Sequence, residues 1–356
     1  MSYHILHLLS FNLRVRLRLE QLHITDRETG VEKTVPLADI AVIIAAAPDT
    51  MVTTAALRRM AELGVMFLVC NERFEPACLT LPYYRATDTE LLRRQVEWTP
   101  AWKEAMWRQV ITVKIRNQAT VNASHKRAAA VLGEIAERCE SGTGVPPVSA
   151  GLQPEAQAGG MCHIPRISLA KISPRHRAFL HSDDASACES RAARHYWKHL
   201  LPRLTSEERT REPGTRAGVN GMLDYGYAVL RSAMLRSLAA HGFIAALGIH
   251  HAAKAGSFAL ADDLMEPLRP WCDRALRTFL AENASAFPDA ATNPETHTAR
   301  MKAWMPLAAG LLTGTVKMGR AKVRLLHAVD VYVRSFADAT LSRSATPLRI
   351  PLLADA

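Results

Sequence analysis

Residues 40–47 read Ile-Ala-Val-Ile-Ile-Ala-Ala-Ala, the longest uninterrupted apolar run of the chain. A membrane-spanning helix needs about 20 such residues, and this run stops far short of that. Without polar alternation it predicts a strand covered on both faces. Before it, Arg14-Val-Arg-Leu-Arg-Leu-Glu20 alternates polar and apolar with the period of two of a strand with one wet face. A turn is predicted at Asp26-Arg-Glu-Thr-Gly30, and a further strand from Lys33 to Leu37. After it, a short helix from about Thr53 to Leu63 turns Leu57, Met60, Ala61 and Val65 to one side. Gly64 ends that helix ahead of an apolar strand from Val65 to Cys70.

Beyond Pro82 the period lengthens to that of a helix. Thr87 to Glu97 and Pro100 to about Cys139 carry Trp98, Trp102, Trp107, Val110 and Val113 at helical spacing. With one interruption, the rest as far as Ser342 reads as helices with short connections. The expected fold class is therefore α+β, with a small β-rich domain over 1–84 and a large helical domain over 85–345. The interruption, about 141–160, is rich in Gly and Pro and is expected to be a flexible insertion.

Composition bounds the function. The 356 residues include 44 Lys and Arg against 34 Asp and Glu, a net charge of +10 that favours a polyanionic partner. The N-terminal apolar stretch has its charges after it, unlike a secretory signal, and the six cysteines form no Cys-x-x-Cys pair. A cytoplasmic protein with reduced thiols and no membrane partner is expected.

Three segments concentrate metal-competent side chains. In Cys188-Glu-Ser-Arg-Ala-Ala-Arg-His-Tyr-Trp197, Glu189 lies on a helical face whose next positions are Ala192 and Ala193, so another element can approach it closely. It is either a metal ligand or a solvated acid near a helix start. Gly248-Ile-His-His251 sets two imidazoles in a non-periodic turn, as ligands or as core histidines. Ala261-Asp-Asp-Leu-Met-Glu-Pro-Leu-Arg-Pro270 gathers Asp262, Asp263 and Glu266, whose mutual repulsion calls for Arg269 or a divalent cation. His195 and His199, a helical turn apart, lack the glutamate of a His-Glu-x-x-His zinc motif and are taken as surface or packing residues. Serine-hydrolase and nucleotide-binding motifs are missing from the sequence.

Taken in order, these segments and Asn220-Gly-Met-Leu-Asp-Tyr-Gly-Tyr-Ala-Val-Leu230 resemble the CRISPR adaptation integrases, the universal CRISPR-associated endonucleases that insert new spacers into the array. The resemblance covers nearly the whole chain and is looser in the N-terminal part. It implies metal ligation by Glu189, His251 and Glu266, with Asp263 and His250 in support behind them. Many relatives carry aspartate where this chain has Glu266. The resemblance also implies Mg²⁺ or Mn²⁺, a homodimer held by the β-rich domain, a small ferredoxin-like adaptation partner, and double-stranded DNA as both spacer precursor and repeat array.

The reaction expected is attack of a 3′-hydroxyl on a phosphodiester. Lys317, Arg320, Lys322, Arg324 and Arg334, together with Lys103, Arg108, Lys114 and Arg116, are the candidates for holding DNA phosphates. Asn220, Tyr225 and Tyr227 are expected to pack around the site. A non-catalytic scaffold of the same fold and an integrase of a mobile element are the alternatives.

Overall fold

The computed structural model describes residues 4–70, 76–80, 89–142, 184–204, 210–214, 218–251, 258–287, 293–319 and 321–353. The Gly/Pro-rich stretch from 143 onward and Arg320 lie outside the described residues.

Two four-stranded sheets form the first part. The strands are β1 (His4–Leu8), β2 (Leu13–Arg18), β3 (Gln21–Asp26), β4 (Glu32–Pro36), β5 (Ile40–Ala45), β6 (Met51–Val52), β7 (Met66–Cys70) and β8 (Pro76–Thr80), and α1 (Thr54–Glu62) precedes β7. One sheet runs β1-β5-β7-β8 and the other β4-β3-β2-β6. Strand β5 is buried at every position, as its unbroken apolar run predicts. Its two faces serve different cores. Ile43, Ala45 and Phe67 pack with Val15, Leu22 and α1, whereas Val42, Ile44, Met66 and Leu68 join the core of the helices that follow. This sheet is the shared wall between the β-rich and helical parts.

One local detail differs from the sequence reading. Strand β2 ends at Arg18 and not at Glu20, because Leu19 and Glu20 take positive φ angles of 49° and 60° in a two-residue hairpin turn. The turn at Asp26 forms as expected, with its carboxylate accepting from the amides of Glu28 and Thr29.

The helices are α2 (Thr89–Val96), α3 (Pro100–Val121), α4 (Lys126–Ser141), α5 (Ala185–Leu200), α6 (Gly218–His241), α7 (Ala259–Met265), α8 (Arg269–Glu282), α9 (Pro294–Gly310) and α10 (Leu325–Ser342). The periodic segment from Pro100 to Cys139 is two helices and not one. Asn122 closes α3, and the His125 ring caps α4 by accepting from the amide of Ala128. Helix α6 is buried along most of its length and forms the axis of the core. It touches α8 so closely that a Cβ on Gly226 would lie 2.1 Å from the sulfur of Cys272.

The stretch near the C-terminus read as helical contains a hairpin, β9 (Thr315–Met318) and β10 (Ala321–Arg324), turning at Gly319 with φ +58°. Lys317, Lys322 and Arg324 therefore ride on strands and not on a solvated helix face. Among the described residues, no helix is long and apolar enough to cross a membrane.

Candidate metal centre

Glu189 comes from α5, whose start is fixed by Asp184 accepting from the amide of Ala187. Ala192, on the same face, is fully buried and lets α3 approach. Glu266 comes from the 3-10 turn Glu266–Leu268, which joins α7 to α8. Asn117 of α3 pins that turn, donating to the carbonyls of Pro267 at 2.8 Å and Pro351 at 3.2 Å. The two carboxylates meet on a single cation. Lys114 Nζ lies 2.7 Å from Glu189 Oε1 and 2.7 Å from Glu266 Oε2. Arg269 reaches the other oxygen of Glu266 at 3.0 Å, the pairing its i+3 position predicts.

These charges dominate the site's acid–base behaviour. Burial alone would raise the Glu266 carboxyl, but Arg269 and Lys114 outweigh it and hold it down at about 2. Burial alone would lower Lys114, and the paired glutamates instead raise it. Lys114 and Arg269 thus offset the two glutamates.

His251 stands at the mouth, with half its side chain exposed. Its Nδ1 bonds to Asp263 Oδ1, leaving Nε2 as the nitrogen available to a ligand. The bond to Asp263 raises the His251 pKa, against the opposing effect of burial. Asp263 is fully buried and also accepts from the amides of Ile249 at 2.7 Å, His250 at 2.9 Å and His251 at 3.2 Å, so one carboxylate shapes the whole turn. Gly248 is required there, because a Cβ would lie 2.6 Å from Asp263 Oδ2 and 2.9 Å from the His251 carbonyl. Gln95 holds the chain just upstream, accepting from Ile244 N and donating to Ile244 O, both at 2.9 Å. The His250 ring stacks on Trp107, with centroids 4.2 Å apart; burial and the neighbouring His251 lower its pKa.

The acids expected to crowd one surface are separated by their partners. Asp262 pairs with Arg231 at 2.6 Å, Asp263 serves the histidine turn, and Glu266 faces Lys114 and Arg269. Among the described residues, no three His, Cys, Asp or Glu side chains stand close enough to hold a metal as they are. The donor types nevertheless suit a divalent cation: two carboxylates already share one positive charge, and an imidazole held by a carboxylate lies nearby.

One basic residue expected on a DNA surface lies elsewhere, and two others are engaged in ion pairs. Lys114 is buried in the pocket. Arg116 pairs with Glu140, and Arg108 with Glu104 and the carbonyl of Cys139. Lys114 sits among Val110, Ile111 and Ile115, all fully buried. A lysine on the apolar stripe of a helix was the available signal of a buried partner.

Behind the pocket, Asp273 accepts from Tyr196 Oη at 2.6 Å and Tyr227 Oη at 2.5 Å. Arg211 donates to Asn220 Oδ1 at 2.7 Å and pairs with Asp224, its guanidinium 5.5 Å from the Tyr227 ring centroid. Tyr227 lies beneath Arg269, whose guanidinium is 4.9 Å from its ring centroid, whereas Asn220 holds Arg211 and the 210–212 segment. His195 and His199 meet a third imidazole in space, since the His199 ring lies 4.7 Å from that of His195 and 4.6 Å from that of His125.

A family model described as CRISPR associated protein Cas1 matches residues 6–144 and 167–302. The CRISPR-associated endonuclease Cas1 of Neisseria meningitidis serogroup C (strain 8013) is 28% identical over 339 residues, covering 94% of this chain and 92% of that protein. Among solved structures, a casposase bound to integration product matches with a TM-score of 0.67 at 17% identity, covering 97% of this chain and 92% of that one. A chain of a Cas6-RT-Cas1–Cas2 complex matches with a TM-score of 0.64 at 14% identity, covering 98% of this chain and 36% of that one. The structural likenesses speak for the fold. The family match spans more than half of the chain, and on it the protein belongs to the Cas1 family of CRISPR-associated proteins.

Proposed function

We propose that this protein is a metal-dependent DNA integrase of CRISPR adaptation, joining a 3′-hydroxyl of incoming DNA to a phosphodiester of the repeat array. The observation that carries the reading is the convergence of Glu189 and Glu266, from separate elements, on one cation beside a histidine oriented by Asp263. Glu189, Glu266 and Nε2 of His251 would hold Mg²⁺ or Mn²⁺. When bound, such an ion polarises the scissile phosphate and lowers the barrier to hydroxyl attack.

The chain's own groups do the rest. Asp263 fixes the imidazole so that its Nδ1 carries the proton and Nε2 faces outward. Arg269 keeps Glu266 ionised, so the carboxylate is ready as a ligand without losing a proton. Asn117 and Gln95 hold the two segments that bring Glu266 and His251 together. The exposed basic hairpin is suited to DNA phosphates.

The family resemblance supports a homodimer and a small ferredoxin-like partner. The naming of Cas2 in a structurally similar complex supports a partner protein in general terms. The likeness to a casposase bound to integration product supports the integrase reading and keeps alive the second reading, a mobile-element integrase. A repeat array beside the coding sequence, against terminal inverted repeats, separates these two.

Glu189→Ala and His251→Ala are expected to abolish joining of a labelled duplex to a repeat-containing plasmid in Mn²⁺ while retaining DNA binding. Undiminished joining by both variants would refute the metal-integrase reading and favour a scaffold.

A further inference from the structure

Lys114 occupies the place between the two proposed carboxylate ligands, and this bears on how a metal could enter. Its ammonium is buried, with a side chain only 6% exposed. It stands 2.7 Å from an oxygen of each glutamate. A Mg²⁺ or Mn²⁺ ion draws oxygen ligands in to about 2.1 Å, closer than an ammonium does. Two oxygens spread around the ammonium cannot also close on a divalent ion at the same point unless the ammonium leaves. Charge points the same way: Lys114 and Arg269 already offset the two glutamates, so a further double charge would face only the Asp263 carboxylate beyond them. Of the two cations, only Lys114 touches both glutamates. Its unbranched four-carbon stem can withdraw in a way that the planar fork of Arg269 cannot easily match.

Resting on the metal-integrase reading, we infer that Lys114 and the divalent cation are alternative occupants of the Glu189–Glu266 pair. Lys114 neutralises the glutamate pair while no metal is bound, and its displacement sets the metal affinity of the site. It is a positioning residue, acting through the glutamates. The arrangement also pairs the buried Glu266, whose charge would be strongly destabilising if left unpaired.

The test uses the full chain and Mn²⁺ alone, without DNA, read by calorimetric titration and thermal unfolding. Lys114→Met is expected to melt below the wild type without metal and to bind Mn²⁺ about tenfold or more tightly, a gain of about 1.4 kcal/mol or more. Its Mn²⁺-induced rise in Tm should exceed that of the wild type. If Lys114→Met folds only in Mn²⁺, the inference is supported outright. Lys114→Arg keeps the charge in a fork that grips carboxylates bidentately, and it should bind Mn²⁺ more weakly than the wild type. Unchanged Mn²⁺ affinity in Lys114→Arg overturns the inference, even if Lys114→Met fails to fold; unchanged or weaker affinity in a folded Lys114→Met does the same. Glu189→Gln distinguishes this failure from failure of the parent reading. If the wild type and Glu189→Gln give the same isotherm, the metal site itself is refuted. If Glu189→Gln loses binding while both Lys114 variants match the wild type, only the role of Lys114 falls.

Discussion

Glu266 and Asp273 lie about two helical turns apart, both buried, yet their pKa values are pushed in opposite directions. Glu266 faces Lys114 and Arg269, and its carboxyl is held down at about 2. Asp273 faces two phenols, and burial pushes it up to about 6 despite their hydrogen bonds. The first acid is compensated by the full charges of Lys114 and Arg269. The second is satisfied by neutral donors on α5 and α6 and has nothing to exchange. Burial of a carboxylate therefore does not mark a reactive site by itself; the chemistry of its partners does.

The sharpest way to break this contrast is to neutralise each acid in turn. Glu266→Gln should reduce DNA joining by about a thousandfold or more, equivalent to roughly 4 kcal/mol in the barrier, while Asp273→Asn retains most of it. Comparable losses in the two variants, measured by single-turnover joining, would erase the distinction.

Truncating the phenol-bound acid gives the largest expected change in stability. Asp273→Ala leaves the hydroxyls of Tyr196 and Tyr227 buried without their acceptor and opens a small cavity. A loss of about 4 kcal/mol is expected from a lower urea midpoint with an unchanged slope. A change under 1 kcal/mol would mean that water serves the phenols as well as Asp273 does.

The two acids also tilt the pH dependence in opposite senses. Asp273 keeps its proton in the folded state at pH values where the unfolded chain has released it, so its contribution falls as pH rises from about 4 to about 6. Glu266, with a depressed pKa, contributes above about pH 4.5, and that contribution is lost as pH falls toward about 2. The stability of the wild type minus that of Asp273→Asn should therefore drop by up to about 3 kcal/mol between pH 4 and pH 6. A flat difference would show that Asp273 is ionised throughout.

A substitution at the histidine turn probes the other side of the pocket. Gly248→Ala places a methyl against Asp263, Ala259 and the His251 carbonyl. A cost of about 2 kcal/mol is expected, together with weaker Mn²⁺ binding, because the turn must move to admit the methyl. Unchanged Mn²⁺ binding would place the turn outside the metal's reach.

What could be read from the sequence follows the same division between local and assembled features. The double burial of β5 and the cap at Asp184 are written in adjacent residues, as is the i+3 pairing of Glu266 with Arg269. The break between α3 and α4 was harder to see, because apolar spacing continues through it and only Asn122 and His125 mark the ends. The β9–β10 hairpin was missed because four-residue strands carry too little alternation to compete with the helical pattern around them. The role of Lys114 was the least accessible, since Glu189 is 75 positions away and the pair exists only once α3 and α5 have packed.

That hairpin offers the smallest effect and the test of where the positive charge acts. Lys317 and Lys322 are exposed and directly opposite each other across β9 and β10, an arrangement that costs stability through like-charge repulsion unless an anion lies over it. A DNA phosphate is such an anion, and contacts of this kind position a duplex without reading its sequence. Each lysine changed to Ala should lower DNA affinity by less than about 1 kcal/mol and reduce the slope of log affinity against log salt by about one, equally for all sequences. The same change should relieve the cross-strand repulsion and leave unfolding stability equal or slightly higher. If the salt slope is unchanged while stability rises, the hairpin charges belong to some other anion, and the DNA-holding surface lies elsewhere on the helices. In contrast to the buried pocket, where removing one charge exposes an unpaired partner, the hairpin can lose a charge and gain in stability. That difference separates a charge retained for binding from one retained for the fold.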